Sequence, residues 1–137
     1  MQRLTLPRLG PGRGDRQYPI ATMLASGCNV AFASDWPISG YHPLAGLAAA
    51  VTRSATGRSA DSFLPRERIT LAEAITCYTR GPAYQAFEED QWGRILVGAR
   101  ADLVHIGADL RVIPAGELAA APVAATWLAG RSTHRST

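Results

Sequence analysis

The stretch Cys28-Asn-Val-Ala-Phe-Ala-Ser-Asp-Trp-Pro37 is the strongest indication of fold class in this 137-residue chain. Residues 28–33 are a short, mostly apolar run without clean alternation, which favours a strand buried on both faces. Pro37 stops regular strand pairing. Before this run, Pro19 suits the first position of a helix, and Gly27 suits the residue just after its end. A helix, a glycine and a buried strand in succession are the repeating unit of a parallel α/β protein.

The flanking sequence divides into three parts. Residues 1–15 carry several prolines and glycines and are predicted to be irregular. Residues 16–89 add a helix over 43–51, a helix that begins with a capping box at Thr70-Leu-Ala-Glu73, and another from Pro82 through 87. Residues 90–137 hold short apolar runs at 95–97, 101–106 and 123–128 between glycines, which predicts β structure. The sequence therefore indicates an α/β part followed by a small β part.

Length and composition exclude several classes of protein. A complete (β/α)₈ barrel needs about 250 residues, so this chain is too short for one. Hydrophobic residues make up 47% and charged residues 18%, which argues against a disordered chain. All 14 basic residues are arginines, which excludes a lysine Schiff base, a lysine general base and a carbamylated lysine.

Location and partners follow from the same composition. Cys28 and Cys77 are far apart and form no CxxC motif, so neither a zinc knuckle nor a disulfide framework is predicted. The start has no apolar signal-peptide region, and no apolar stretch is long enough to span a bilayer. The arginines are scattered and lack interleaved aromatic residues, which disfavours nucleic-acid binding. We expect a soluble cytoplasmic protein.

Asp35 is the main candidate for chemistry, because it directly follows the predicted strand. Ligands of α/β folds bind beyond the carboxyl ends of the strands, where a carboxylate can ligate a metal or act as a general base. A structural alternative is that Asp35 caps the next segment or accepts hydrogen bonds from backbone amides. His42 lies further along the same loop and is a candidate for substrate binding. Ser34, Asp35 and His42 offer the residue types of a hydrolytic triad, but no GxSxG motif is present.

The remaining candidates are interpreted as structural. His105 lies inside a predicted strand, where a partly buried imidazole is expected, and His134 lies in the polar tail. In the capped helix, the spacing of Leu71, Ile75 and Tyr78 places them on one face, which is expected to be the core face. Cys77 lies beside that face and is expected to pack. Asp102 precedes an apolar run and is expected to bond backbone groups in a turn.

Several short sequence motifs occur here in the same order and spacing as in one enzyme family, and the resemblance covers roughly residues 16–131. These motifs are Ser34-Asp-Trp-Pro37, Pro43-Leu44, Ala50-Val-Thr-Arg53, Thr70-Leu-Ala-Glu-Ala-Ile75, Tyr78-Thr79, Ala83-Tyr84, Phe87-Glu-Glu89, Gly93-Arg-Ile95, Gly98, Ala101-Asp-Leu-Val104, Ala125-Thr-Trp127 and Gly130-Arg131. Together they resemble the last part of the metal-dependent amidohydrolase family 3. The resemblance implies a (β/α)₈ TIM-type barrel with one or two divalent metals, commonly zinc, whose bound water attacks an amide or related carbon.

The resemblance gives Asp35 the role of the aspartate after the last barrel strand, which ligates metal and carries a proton to the leaving nitrogen. The family's first metal ligands, a His-x-His pair, are missing from this sequence. A catalytic zinc needs about three protein ligands, so the chain alone is expected to bind no metal and to be inactive. The resemblance thus predicts a C-terminal fragment, with barrel residues 16–89 followed by part of a β-sandwich at 90–137.

Two functional readings follow. In the first, the complete parent enzyme hydrolyses a carbon–nitrogen bond other than a peptide bond in a small amide-like substrate. The fragment would then need the missing barrel part from another chain, or would self-associate through bare apolar faces. In the second, the segment serves as a small non-enzymatic binding or assembly module.

Overall fold

The computed structural model describes residues 2–55 and 62–136 and combines short helices with one small sheet. The helices are α1 (Gln2–Leu9), α2 (Pro11–Gly14), α3 (Ile20–Ala25), α4 (Pro43–Thr52), α5 (Leu71–Tyr78) and α6 (Arg80–Gln85), with 3-10 turns at Pro65–Glu67 and Ala115–Ala120. The strands are β1 (Leu103–Ile106), β2 (Val123–Leu128) and β3 (Arg131–Arg135). No described helix has the length and apolar character needed to cross a membrane.

The predicted capping box at the start of α5 is confirmed. The Glu73 amide donates to Thr70 Oγ1 at 3.2 Å, and the Thr70 amide donates to Glu73 Oε2 at 2.7 Å. These bonds satisfy backbone donors that a helix start leaves unpaired. They also lower the pKa of Glu73, with the Thr70 amide as the larger cause.

The core lies where α4 and α5 meet the 3-10 turn Ala115–Ala120. Leu44 and Leu47 of α4 are buried there, as are Ala74 and Cys77 of α5. Leu118 of the 3-10 turn is one of the largest fully buried side chains. Of the face predicted for α5, Leu71 and Tyr78 pack against the core, whereas Ile75 is exposed because the small residues Ala74 and Cys77 take the innermost positions.

The first 15 residues differ from the irregular segment predicted for them. Residues Gln2–Leu9 and Pro11–Gly14 are helical despite Pro7 and the glycines. The Gly10 amide donates to the Leu6 carbonyl at 3.0 Å, and the Gly14 amide donates to the Gly10 carbonyl at 2.9 Å. Gly14 is buried close against the Leu6 side chain. The absence of a Gly14 side chain therefore permits this packing, which composition alone does not indicate.

Residues 28–33 do not form the predicted strand buried on both faces. Val30 and Phe32 pack against the core, while Asn29 and Ala33 are exposed. Cys28 donates its amide to Met23 at 3.1 Å, and Phe32 donates its amide to the Cys77 carbonyl at 2.8 Å. Within residues 2–55 and 62–136, no strand pairs with this segment, and a strand requires a neighbour for its ladder. One face of the segment therefore packs on helices, and the other is open.

The sheet has the antiparallel order β1-β2-β3. The predicted runs 101–106 and 123–128 are confirmed as the positions of β1 and β2, with Leu103 opposite Trp127. The run 95–97 forms a turn rather than a strand, and β3 was not predicted. A two-residue loop connects β2 to β3, and both Ala129 and Gly130 have positive φ, at 49° and 78°. This is the geometry of a type I′ hairpin, and alanine at its first position conceals the usual sequence signal.

Candidate functional site

Asp35 begins an exposed loop at the end of the segment that packs on the helices. Its φ is 55°, a left-handed conformation that aspartate tolerates better than most residues. Its carbonyl accepts a hydrogen bond from the Ile38 amide at 2.8 Å, which closes a turn around the cis Trp36–Pro37 peptide. The Asp35 backbone thus lies in a hydrogen-bonded turn, and its side chain faces solvent.

Within the described part of the chain, the Asp35 carboxylate makes no hydrogen bond or ion pair. Asp102 and Asp109 differ in this respect. Asp102 accepts from the Ala129 amide at 2.8 Å and from Arg100 Nε at 2.6 Å, and Asp109 pairs with Arg111 at 2.7 Å. The capping role that was left open for Asp35 therefore finds no support in these contacts.

His42 lies at the far end of the same loop, at the start of α4. Its carbonyl accepts from the Ala45 amide at 3.2 Å, Pro43 follows it in the first helical position, and its imidazole is exposed. Ser39 Oγ donates to the Ser34 carbonyl and so connects the middle of the loop to its start. These contacts hold the loop as a bridge between residues 28–33 and α4.

A cleft of about 320 Å³ lies beneath this loop. Its lining includes Ser34, Ser39, His42 and Tyr78. The structure thus brings His42 and Ser34 to one cleft, while Asp35 is not among its lining residues. The residue types of the triad are therefore not assembled around it.

Tyr78 is a cleft residue that sequence reasoning missed, since its helical spacing assigned it to the core. Its ring meets Phe32 edge to face, with centroids 5.2 Å apart, and burial raises the pKa of its phenol. The phenol therefore stays protonated at neutral pH and can donate a hydrogen bond. No sequence signal separates this role from packing.

The other candidates have the structural roles expected of them, with one exception. The pKa of Asp102 is lowered, first by the Ala129 amide and then by Arg100, as suits a residue that connects β1 to the hairpin turn. Cys77 is buried, and burial raises the pKa of its thiol. His134 is exposed on β3. The prediction that His105 is partly buried was wrong, because β1 is exposed over three of its four residues, His105 among them.

The described residues do not provide a complete metal site. Within residues 2–55 and 62–136, no group of three or more histidine, cysteine, aspartate or glutamate side chains could hold a metal ion. A catalytic zinc needs about three protein ligands and an open position. Asp35 offers one carboxylate, so the donor set does not fit a metal centre held by these residues alone.

A family model and similar known proteins agree on one family for this chain. A model of the amidohydrolase family matches residues 2–134. The chain is 32% identical over 123 residues to an N-substituted formamide deformylase of Arthrobacter pascens, covering 86% of this chain and 22% of that protein. It is 29% identical over 130 residues to the putative amidohydrolase YtcJ of Bacillus subtilis (strain 168), covering 94% and 25%.

A third relative comes from a plant. The chain is 30% identical over 98 residues to the protein LONG AFTER FAR-RED 3 of Arabidopsis thaliana, covering 71% of this chain and 17% of that protein. The chain therefore spans a quarter or less of the length of these relatives.

Proposed function

Because this chain belongs to the amidohydrolase family, we propose that it is the C-terminal part of a metal-dependent amidohydrolase. The parent enzyme hydrolyses a carbon–nitrogen bond, other than a peptide bond, in a small amide-like substrate in the cytoplasm. Residues 16–89 supply the last strand and flanking helices of a TIM-type barrel, and residues 90–137 supply part of a β-sandwich.

The observation that carries this proposal is the Asp35 carboxylate at the end of residues 28–33, which makes no hydrogen bond or ion pair with any residue of 2–55 and 62–136. The segment has helices on one face, with Val30 and Phe32 inward, and an open face with Asn29 and Ala33 outward. A barrel strand likewise packs one face on helices and turns the other toward the barrel interior, which supports this placement. Added strands would place the Asp35 loop at the carboxyl edge of the sheet, where barrel enzymes bind their substrates.

The residues of this chain then have separate roles. Asp35 contributes one carboxylate to a divalent-metal centre. The metal proposed is zinc, and its other ligands come from outside the chain. The same carboxylate can accept a proton from water and deliver it to the leaving nitrogen. His42, at the cleft below the loop, contacts the substrate. When bound, the metal lowers the pKa of a water molecule and polarises the carbonyl group.

The chain alone is proposed to be inactive. The described residues provide one carboxylate where a catalytic zinc needs about three protein ligands. We expect the purified chain to retain no stoichiometric zinc after dialysis, measured by elemental analysis. A tightly held equivalent of zinc would contradict this.

A chimera tests the proposal directly. In the Arthrobacter pascens deformylase, the matching 123 residues are replaced by those of this chain, and formate release from an N-substituted formamide is measured. We expect zinc binding and turnover, with turnover lost in Asp35→Asn and kept in the control Asp109→Asn, whose carboxylate pairs with Arg111. If the unmodified Arthrobacter pascens deformylase is soluble and active but the chimera is neither, the proposed placement of this chain at the C-terminal end of the barrel is wrong.

The alternative, a non-enzymatic assembly module, is favoured by one observation, the exposed apolar side chains of residues 95–97. The coding DNA before Met1 discriminates between the two. A frame that encodes His-x-His and further barrel strands supports the amidohydrolase part, and unrelated DNA supports the module.

A further inference from the structure

Two cavities meet at the Tyr78 side chain. The outer cleft, of about 320 Å³, is the one already described beneath the loop of residues 35–42, and the inner cavity has a volume of about 180 Å³. Both are lined by Ala33, Gly46, Ala49 and Tyr78. Of these residues, Tyr78 alone has a large side chain, so its ring is the partition between the outer cleft and the inner cavity.

This partition is held by two neighbours. The Tyr78 ring meets Phe32 edge to face, with centroids 5.2 Å apart. Its phenol lies directly against α4, because a Cβ added at Gly46 would collide with the phenol oxygen and lie 2.7 Å from Cζ. Glycine at position 46 therefore lets the ring reach the helix. Close packing on both neighbours leaves the ring little room to move aside.

The two cavities differ in polarity. Ser39 and His42 of the outer cleft are exposed, so this cleft has a polar mouth that opens to solvent. The inner cavity is lined by Ile20 and Phe32, which are half-buried, and by Ala50, which is buried. An amide group is therefore suited to the outer cleft, and an aliphatic chain to the inner cavity.

Arg53 also lines the inner cavity, but its guanidinium is turned to the protein backbone. Its Nε donates to the Phe63 carbonyl at 3.2 Å, and its Nη2 donates to the Gln17 carbonyl at 3.4 Å. The inner cavity thus offers mainly apolar contact, which suits an uncharged chain better than an anion.

The walls named for both cavities come from this chain. The outer cleft lies between residues 33–42, α4 and α5, and the inner cavity is bounded by α3 as well. Its relatives are longer, but the partition and the difference in polarity are formed without their additional sequence. The position of the Tyr78 ring therefore limits what the outer cleft can hold.

We propose that Tyr78 is a specificity-determining residue of the candidate site. Its ring ends the outer cleft and restricts the occupant to an amide with a short aliphatic substituent, because a longer chain would have to enter the inner cavity. The inference rests on the proposed function, which makes an amide-like molecule the substrate at this cleft. Removal of the ring would join the two cavities and admit a longer chain.

Titration of the full 137-residue chain with N-propylacetamide and N-hexylacetamide tests this inference. Dissociation constants are measured from the NMR shift of the Gly46 amide. We expect the unmodified chain to bind the hexyl amide no more tightly than the propyl amide. Tyr78→Ala should bind the hexyl amide about tenfold or more tightly than the propyl amide, because each buried methylene group is worth about fourfold in affinity. A purely structural role of Tyr78 would change both affinities alike.

Three further variants complete the test. The matched control Tyr84→Ala, at a tyrosine that is 50% exposed and lines neither cavity, should leave the ratio of the two affinities unchanged. Tyr78→Phe keeps the ring and should also leave the ratio unchanged. If circular dichroism shows that Tyr78→Ala is unfolded, Tyr78→Leu, which keeps an apolar side chain, should shift the ratio in the same direction.

The inference is overturned if the folded variant without the ring keeps the ratio of the unmodified chain. It is also overturned if neither amide shifts the Gly46 signal of the unmodified chain. Turnover of the deformylase chimera decides the proposed function separately. An active chimera with an unchanged ratio overturns the role of Tyr78 alone, and an inactive chimera with a shifted ratio overturns the enzymatic role but not the size limit.

Discussion

Replacing Gly81 with alanine tests whether residues 28–33 are packed as described. A Cβ at position 81 would collide with the Val30 carbonyl oxygen and lie 3.0 Å from Ala31 Cα. Both neighbours are backbone atoms, so the strain cannot be relieved by a side-chain rotation. Overpacking costs about 1–3 kcal/mol in general, and a collision with backbone atoms belongs to the upper part of that range, about 2–3 kcal/mol. Because Gly81 lies within α6, the higher helix propensity of alanine offsets about 1 kcal/mol of this cost. We therefore expect Gly81→Ala to lower the free energy of unfolding by about 1–2 kcal/mol.

The assay is urea unfolding at 25 °C, with the midpoint and slope compared between variants. The matched control is Gly40→Ala, since a Cβ at Gly40 would contact no atom within 4 Å. This exposed substitution should change the free energy of unfolding by no more than about 0.5 kcal/mol. If Gly81→Ala is as stable as the unmodified chain or more stable, the packing of residues 28–33 on α6 is refuted.

Three further predictions concern the helical part. Thr70→Ala removes the cap of α5 and should cost about 1 kcal/mol in urea unfolding; an unchanged midpoint would exclude a role for the capping box. The Thr22 hydroxyl, and then its amide, lower the pKa of Glu67 below 4.5, so the ionised carboxylate stabilises the fold at neutral pH. That stability should disappear as the pH falls from about 4.5 through the folded pKa, and thermal melts of Glu67→Gln should lose this part of the pH dependence. Leu118→Ala empties a fully buried site and should cost about 2–5 kcal/mol, whereas the same change at the exposed Leu128 should cost about 0.5 kcal/mol or less.

Local signals were sufficient for some elements. Thr70 and Glu73 define the start of α5 through contacts within one helical turn, and the structure contains them. Pro43 at the first helical position likewise indicates α4. Such elements depend on neighbours in the sequence, which is why they could be predicted.

Elements that depend on distant partners could not be predicted in the same way. The apolar run at 28–33 indicates a strand, but a strand forms only beside another strand, and none pairs with it among the described residues. In α5, Ala74 and Cys77 face inward because of the fit to Leu44 and Leu47 of α4, not because of hydrophobicity alone. β3 was missed because its side chains are polar and exposed and its turn begins with Ala129.

In the candidate site too, features that depend on sequence neighbours could be predicted, and features that depend on distant residues could not. Asp35 was identified from its place after an apolar run, and the structure adds that the carboxylate has no partner within the described residues. Tyr78 could not be identified as a cleft residue, because its contact with Phe32 joins positions 46 residues apart in the sequence. The roles of Asp35 and His42 in catalysis stay predictions.

The role proposed for Asp35 is best measured by formate release from the deformylase chimera, with and without Asp35→Asn. We expect the unmodified chimera to bind zinc and turn over. We also expect Asp35→Asn to lower kcat by about 10²–10⁴-fold, the usual contribution of a proton-transferring group. If the Asp35→Asn variant of a zinc-loaded chimera turns over as fast as the unmodified chimera, Asp35 does not have this role.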